Sequence, residues 1–173
     1  MQSELKALQR EIGIAFLFVT HDQEEAMALS DRIALLRAGE LEQVSTPRDL
    51  YNRPRTAYAA SFVGQTNLLE ARVENGIAHA GSLQWPSALP DAQQLFSLRP
   101  EHISIVSGAD AGSPNSVRFR GLVRRQVFHG ASDLLEVQSE GGQVLLVRLP
   151  NARELAGELL LEFAAANAIP LRH

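Results

Sequence analysis

The sequence predicts an α/β segment over residues 1–64, followed by a small all-β domain, a barrel or sandwich, over residues 65–173. The α/β part is indicated by a short apolar run at residues 16–19 with a helix-start signal directly behind it. The β part is indicated by a shift in composition near Gln65. From there on, short alternating segments are separated by Gly, Pro, Asn or Ser, which is typical of small antiparallel barrels and sandwiches.

Composition limits the classes of function. The 173 residues carry a net charge of −4 and are 45% hydrophobic, so the chain can bury a core of ordinary size. The mildly acidic balance argues against nucleic acid or an anionic membrane surface as the main partner. There is no cysteine, which excludes disulfides and thiolate metal sites.

The sequence carries no signal for secretion or membrane insertion. Its beginning, MQSELKALQRE, lacks the apolar core of a signal peptide. No apolar run approaches the roughly 20 residues needed to span a bilayer. We therefore expect a cytoplasmic protein.

The first predicted elements are a helix and a buried strand. Ser3 to Glu11 has apolar residues at helical spacing, and Gly13 would end that helix. Phe16 to Val19 is rich in β-favouring residues and predicts a strand covered on both faces. Asp22 follows as an N-cap with Glu25 three residues on, an acidic form of the capping box.

His21 stands at the predicted carboxyl end of this strand, the edge where open α/β sheets bind ligands. A neutral imidazole there can donate a hydrogen bond to a phosphate oxygen or position a water. From spacing alone, the commoner explanation is a strand-end histidine satisfied by a neighbouring backbone group. Asp22, Glu24 and Glu25 are better explained as cap and helix-dipole residues than as a carboxylate pair for acid–base catalysis.

A hairpin and two short helices are predicted next. Ile33 to Leu36 and Leu41 to Val44 are apolar strands on either side of a tight turn. Thr46-Pro47 begins a helix that Pro54 stops, and Thr56 caps another helix that ends at Gly64.

The second part contains a series of short predicted strands. Turn signals interrupt them at Glu74-Asn75-Gly76, His129-Gly130 and Glu140-Gly141-Gly142, and Gly108 to Ser116 is predicted as an exposed loop. The strands are Leu68 to Val73, Ile77 to Ala80, Leu95 to Leu98, Ile103 to Val106, Val117 to Phe128, Leu134 to Gln138, Val144 to Leu149 and Leu159 to Phe163.

The first part resembles a known family. The strings FVTHDQEEA (18–26) and SDRI (30–33) resemble the switch-histidine segment of ATP-binding-cassette (ABC) importer ATPases. It is most similar to the subgroup that imports polyamines, ferric iron, sulfate, phosphonates or sugars. The match continues in order through Leu35-Leu36, Gly39-Glu40-Leu41, Gln43, Thr46-Pro47, Leu50-Tyr51, Pro54, Phe62, Gly64 and Thr66-Asn67-Leu68-Leu69.

By this resemblance, residues 1–64 are the C-terminal part of an ABC nucleotide-binding domain, an α/β remnant. His21 would contact the γ-phosphate of ATP across a nucleotide-sandwich dimer. The resemblance implies ATP and Mg²⁺ as cofactors of the parent protein, and a second copy as partner. It also implies membrane permease subunits and a solute-binding protein, so the complex would lie at the inner face of the cell membrane. The solute is not identified, although the junction Thr66-Asn67-Leu68-Leu69 is slightly more similar to that of polyamine or iron importers.

The other motifs of that family are missing from this sequence. There is no G-x-x-x-x-G-K-[ST] string, no Leu-Ser-Gly-Gly-Gln string and no early apolar run that ends in Asp-Glu. In the family they lie upstream of the residue that aligns with Met1. We therefore expect no cofactor-binding residues within this chain and no ATPase activity from it alone. Because the strand at 16–19 would lack most of its sheet, we expect residues 1–64 to be stabilised by a second copy or to be partly disordered.

The second part resembles the TOBE domain, an OB-like barrel appended to importer ATPases of the same subgroup. This implies an all-β OB-like barrel with a regulatory or dimer-forming role. His129 departs from the family pattern, in which an apolar residue often precedes the glycine. The resemblance rests on Leu98-Arg99-Pro100-Glu101-His102-Ile103, Gly121-Leu122-Val123, Phe128-His129-Gly130, Val144 to Pro150 and Gly157.

Two groups of charged residues are further candidates. Arg99 and Glu101 flank Pro100, and a structural turn with an exposed ion pair explains them more simply than a docking or anion contact. A strand carries Arg118, Arg120 and Arg124 on one face and Arg125 on the other, which is commoner as a solvated sheet face than as an anion site. No metal site is expected, because the remaining histidines lack ligand spacing: His79, His102, His129 and His173.

Two hypotheses of different class follow. The first is a C-terminal fragment of the ATP-hydrolysing subunit of an ABC importer. The alternative is a stand-alone module without ATPase activity, whose barrel binds a small oxyanion. A nucleic-acid-binding OB barrel is disfavoured by the acidic balance and by an aromatic content of 6%, because such barrels need basic grooves with stacking rings.

Overall fold

The computed structural model describes residues 6–8, 11–106, 115–150 and 154–172. The chain divides into two compact units, Met1–Gly64 and Gln65–His173, and each is described by itself. From residue 14 onward, the helices and strands of the first unit are α1 (Gln23–Leu29), β1 (Ile33–Arg37), β2 (Glu40–Ser45), α2 (Pro47–Asn52) and α3 (Ala57–Phe62).

The predicted hairpin is confirmed. β1 and β2 pair antiparallel along their length. Ala38 and Gly39 form the two-residue turn, with φ angles of 49° and 84°. Positive φ at both positions gives a turn whose twist matches that of the flanking strands, and glycine adopts it without strain.

The predicted starts of α2 and α3 are confirmed as well. Thr46 Oγ1 accepts a hydrogen bond from the N–H of Asp49 at 3.2 Å, and Pro47 lies in the first turn. Thr56 Oγ1 accepts from the N–H of Ala59, also at 3.2 Å. Each cap satisfies an amide that the helix itself leaves without a partner.

A small core joins the hairpin to these helices. Gln43 contributes a buried polar contact: its Oε1 accepts a hydrogen bond from the backbone N–H of Arg55 at 2.8 Å. This bond anchors the segment between α2 and α3 to β2. The buried apolar residues of this core are Leu35, Leu50, Ala59 and Val63.

The strand predicted over Phe16 to Val19 is not formed, and that prediction was wrong for this chain. Residues 14–20 have no regular secondary structure. The four apolar side chains are at least half exposed, from 50% for Phe16 to 95% for Leu17. A strand needs a neighbour for its amide and carbonyl groups. Among the described residues of this unit, the strands β1 and β2 already pair with each other, so the described part contains no parallel sheet.

Two predicted segments lie partly outside the described residues. Of the helix predicted over Ser3 to Glu11, residues 6–8 are described and helical, and residues 11–12 are helical as well. The predicted loop from Gly108 to Ser116 falls mostly outside the described ranges, and a strand begins at its last residue.

The second unit is all-β, and its described strands form two antiparallel five-stranded sheets. They are β3 (Asn67–Glu74), β4 (Ile77–Ala80), β5 (Leu83–Pro86), β6 (Ala92–Leu98), β7 (Ser104–Ile105), β8 (Ser116–Phe128), β9 (Ser132–Ser139), β10 (Val144–Pro150), β11 (Glu158–Ala164) and β12 (Ile169–Pro170). The first sheet has the order β12-β6-β3-β4-β5 and the second the order β10-β9-β8-β11-β7. This agrees with the small antiparallel domain that the alternating segments predicted.

The two sheets enclose one hydrophobic core. Along β3, buried and exposed residues alternate from Asn67 onward, as expected of a strand with one face inward. Trp85 of β5 is 2% exposed and meets Phe96 and Phe163 edge-on, with centroid distances of 5.1 and 6.1 Å. Because Phe96 belongs to the first sheet and Phe163 to the second, the indole connects the two sheets.

Two strands, β5 and β12, were not predicted from the sequence. They have four and two residues, and each ends in a proline, which in a sequence argues against a strand. The omission mattered, since β5 supplies Trp85 to the core.

Asn67 links the two sheets at an edge. Its side chain is buried, and its Nδ2 donates a hydrogen bond to the backbone oxygen of Leu146 at 2.9 Å. Its Oδ1 accepts from the backbone N–H of Leu146 at 2.7 Å. Leu146 lies in β10, the edge strand of the second sheet. The amide of Asn67 therefore takes the place of a residue on a neighbouring strand.

Three edge strands of this unit end in proline: Pro86 in β5, Pro150 in β10 and Pro170 in β12. Proline has no N–H to donate, so it interrupts the row of pairing groups along a sheet edge.

Candidate functional site at the His21 turn

The turn that carries His21 is fixed on its C-terminal side by the cap of α1. Asp22 has an extended backbone, with φ −83° and ψ 116°, and its Oδ1 accepts a hydrogen bond from the N–H of Glu25 at 3.0 Å. The predicted N-cap is confirmed. Glu24 and Glu25 lie in the first turn of α1, where the helix dipole favours negative charge.

The second half of the predicted capping box differs from the expected one. In the usual arrangement the glutamate side chain accepts directly from the backbone N–H of the cap residue. Here Thr20 lies between them: its Oγ1 accepts from the N–H of Asp22 at 2.9 Å and donates to Oε2 of Glu25 at 3.0 Å. Thr20 was missed in the sequence, although a hydroxyl two residues before an Asp cap is a known turn signal.

The side chain of His21 is exposed, and it makes no hydrogen bond to any residue within the described ranges. The two residues that flank it are both held by the hydrogen bonds just described. An imidazole of this kind can donate to or accept from a group that approaches from outside. The simpler explanation, a histidine satisfied by its own neighbouring backbone, does not describe this side chain.

Two of the four arginines of β8 form cross-strand ion pairs with glutamates of β11. Arg118 Nε lies 3.1 Å from Oε2 of Glu162. Arg120 Nη1 lies 2.9 Å from Oε1 of Glu158. Two of the four positive charges are therefore compensated at short range.

Arg125 lies on the same face as the other arginines, which corrects the predicted alternation. The register of β8 against β9 shifts between Val123 and Arg125, so Arg124 is the extra residue of a β-bulge. Arg124 Nε donates to Oε1 of Gln138 at 2.9 Å, and Arg125 Nη1 lies 3.9 Å from Oε1 of Glu136. Glu136 and Gln138 are two residues apart on β9 and so share a face. These contacts fit a solvated sheet face, not an open anion site.

The structural turn predicted at Arg99 to Glu101 is present, but Arg99 is buried, so the exposed position predicted for it was wrong. It is 3% exposed, and its Nη1 donates to the backbone oxygen of Gln65 at 3.0 Å. Glu101 is exposed within the short 3₁₀ turn Pro100–His102. A guanidinium offers five donors, so backbone oxygens can satisfy it in the interior, and charge pattern alone does not reveal this.

Within the described ranges, no group of three or more His, Asp or Glu side chains is placed to hold a metal ion. The helices of the described part are too short or too polar to cross a membrane.

Comparison with known proteins gives consistent similarities. Residues 96–162 match the family model of the TOBE domain. The chain is 40% identical over 163 residues to the spermidine/putrescine import ATP-binding protein PotA of Pseudomonas aeruginosa, a match that covers 88% of this chain and 45% of that protein. It is 40% identical over 152 residues to the uncharacterized ABC transporter ATP-binding protein YdcT of Escherichia coli, covering 87% and 40%.

A third relative is more distant. The spermidine/putrescine import ATP-binding protein PotA of Thermobifida fusca is 35% identical over 164 residues, covering 89% of this chain and 42% of that protein. The chain thus spans less than half the length of these curated relatives.

Proposed function

We propose that this chain acts as the C-terminal part of an ATP-hydrolysing subunit that drives uptake of a small solute. Its sequence matches the C-terminal region of ABC importer ATP-binding proteins, TOBE domain included. In this proposal residues 1–64 are part of a nucleotide-binding domain. Residues 65–173 are a TOBE barrel that regulates the ATPase or joins two copies.

The observation that carries the proposal is the state of His21. Its imidazole is exposed and makes no hydrogen bond to a described residue, while the backbone on both sides of it is held by Thr20 and Asp22. We assign His21 the role of a switch residue that donates a hydrogen bond to the γ-phosphate of ATP. Because the backbone beside His21 is already held, less reorganisation is needed when its imidazole meets the developing charge on a phosphoryl group.

The exposed segment at residues 16–19 supports the same assignment. Four consecutive apolar side chains that are half or more exposed are unusual on a soluble surface. They are what a central strand presents when its neighbouring strands are not part of the chain. The segment directly precedes the His21 turn, so a sheet formed around it would place His21 at the end of a strand.

Nucleotide binding requires more than this chain supplies. The imidazole of His21 offers a single hydrogen bond, whereas ATP with Mg²⁺ is held by several donors and a metal-coordinating hydroxyl and carboxylate. Bound ATP would supply the phosphoryl group whose transfer to water drives transport. We therefore assign the phosphate-holding residues to polypeptide outside this chain, and we expect no phosphate release from this chain alone.

The remaining assignments rest on the family. We propose permease subunits, a solute-binding protein and a second copy of the subunit as partners, at the cytoplasmic face of the membrane. The names of two relatives mention spermidine and putrescine, so a polyamine is the solute class that we propose first.

A chimera tests the proposal. The region of the P. aeruginosa relative that matches this chain is replaced by residues 1–173, and ATP hydrolysis is measured. We expect the chimera to hydrolyse ATP and the His21→Ala chimera to lose about 100-fold or more in kcat, the usual effect of removing an oriented donor. Restored putrescine uptake in a strain that lacks the relative would support the polyamine assignment.

His129→Ala is the matched control. His129 is an exposed histidine between β8 and β9, and we expect its removal to change kcat by less than about twofold, as for an exposed side chain outside the chemistry. A chimera that turns over ATP equally well with and without His21 would refute the proposed role.

A further inference from the structure

We infer that Thr20 is a positioning residue for His21, acting through a three-residue hydrogen-bonded ring. Thr20 Oγ1 accepts from the N–H of Asp22 at 2.9 Å and donates to Oε2 of Glu25 at 3.0 Å. Asp22 Oδ1 accepts from the N–H of Glu25 at 3.0 Å. The ring closes around His21, whose side chain is outside it. This inference rests on the proposed function of His21.

The hydroxyl of Thr20 uses both of its hydrogen-bonding capacities. A hydroxyl has one O–H to donate and lone pairs to accept, and here both partners are groups of α1 or its cap. Serine can make the same two bonds. Valine has nearly the shape of threonine but can make neither bond, so the Val and Ser variants separate hydrogen bonding from shape.

The hydrogen bonds through Thr20 constrain more of the turn than a direct capping box would. A direct contact between Glu25 and the N–H of Asp22 would fix the cap and leave the residue before His21 unconstrained. With Thr20 in the ring, the residues on both sides of His21 are tied to the first turn of α1. Fewer backbone conformations then remain for His21, which lowers the entropy lost when its imidazole engages a phosphate.

The first measurement uses this chain as it is. The exchange rate of the Asp22 amide with solvent is followed by NMR in wild type, Thr20→Val and Thr20→Ser. We expect Thr20→Val to raise this rate by about tenfold, the fold-change that corresponds to one lost hydrogen bond of ordinary strength. Thr20→Ser is expected to restore the wild-type rate. An unchanged rate in Thr20→Val would overturn the inference.

The second measurement uses the chimera of the preceding subsection. Because Thr20 acts on the orientation of His21 and not on nucleotide binding, Thr20→Val should lower kcat by about tenfold while KM for ATP stays within about twofold. Thr20→Ser should restore kcat. Thr46→Val is the structural control: it removes the capping hydroxyl of α2, and kcat should stay near wild type.

The outcomes separate this inference from the proposed function. If His21→Ala abolishes turnover and Thr20→Val does not reduce it, the function stands and the positioning role is refuted. If Thr20→Val and Thr46→Val lower kcat equally, the effect is general destabilisation and the role is refuted as well. If His21→Ala has no effect, the proposed function fails, and with it the positioning role in turnover. The exchange rates then report only whether Thr20 holds the turn.

Discussion

Replacing Asn67 by alanine should destabilise the second unit markedly. The side chain is 6% exposed and makes two hydrogen bonds to the backbone of Leu146, at 2.9 Å and 2.7 Å. Alanine makes neither. The N–H and C=O of Leu146 would then be left at the edge of β10 without these partners.

The magnitude follows from the two stranded groups. A buried polar group that loses its partner costs about 1–3 kcal/mol. Leu146 is only partly buried, so water compensates in part, and we expect a total loss of about 2–4 kcal/mol. Since small domains are stable by about 5–15 kcal/mol, this is a substantial fraction.

The assay is urea unfolding monitored by tryptophan fluorescence. The chain contains one tryptophan, Trp85, which is buried in the core of the second unit, so the signal reports on that unit alone. Glu70→Ala is the matched control: Glu70 is exposed on the same strand β3, and its loss should cost less than about 0.5 kcal/mol. If Asn67→Ala were no more destabilising than Glu70→Ala, the role assigned to the amide would be wrong.

Two further predictions concern the β8–β9–β11 sheet. Gly121→Ala should cost about 1–3 kcal/mol through overpacking, because a Cβ there would clash with Cγ1 of Val137 and lie 3.3 Å from Cδ1 of Leu161. In urea unfolding, the double variant with Val137→Ala should lose less stability than the sum of the two single variants, and strict additivity would contradict the clash. A double-mutant cycle on Arg118 and Glu162 should give a coupling of about 0–1 kcal/mol that falls in 1 M NaCl, and a coupling above about 2 kcal/mol would show that this pair is not a solvated one.

Local signals in the first unit were readable from the sequence because their causes lie within a few residues. Thr46-Pro47 specifies a helix start through one hydroxyl and a fixed φ, and the structure has both the cap and the helix. The strand at residues 16–19 depends instead on neighbours that the described residues do not provide. A run of apolar residues indicates that they would be buried in a sheet, and it contains no information on whether the sheet is present.

In the candidate site, too, some features could be predicted from the sequence and others could not. His21 and the Asp22 cap were identified from residue type and spacing, while the role of Thr20 depends on a hydroxyl bonded at both ends. In the second unit, the alternation along β8 was readable but the bulge at Arg124 was not. One extra residue reverses every later assignment of faces, so Arg125 was placed on the wrong side.

The proline-terminated edge strands affect how this protein behaves in concentrated solution. Fibre growth and strand exchange require an open row of amide and carbonyl groups that a second molecule can extend, and Pro86, Pro150 and Pro170 shorten that row. The exposed apolar surface that favours association lies at residues 16–19, where side chains such as Leu17 and Val19 are almost fully exposed. We therefore expect self-association to begin at the apolar residues 16–19 and not at the sheets of the second unit. A partner that covers these residues should keep the protein soluble.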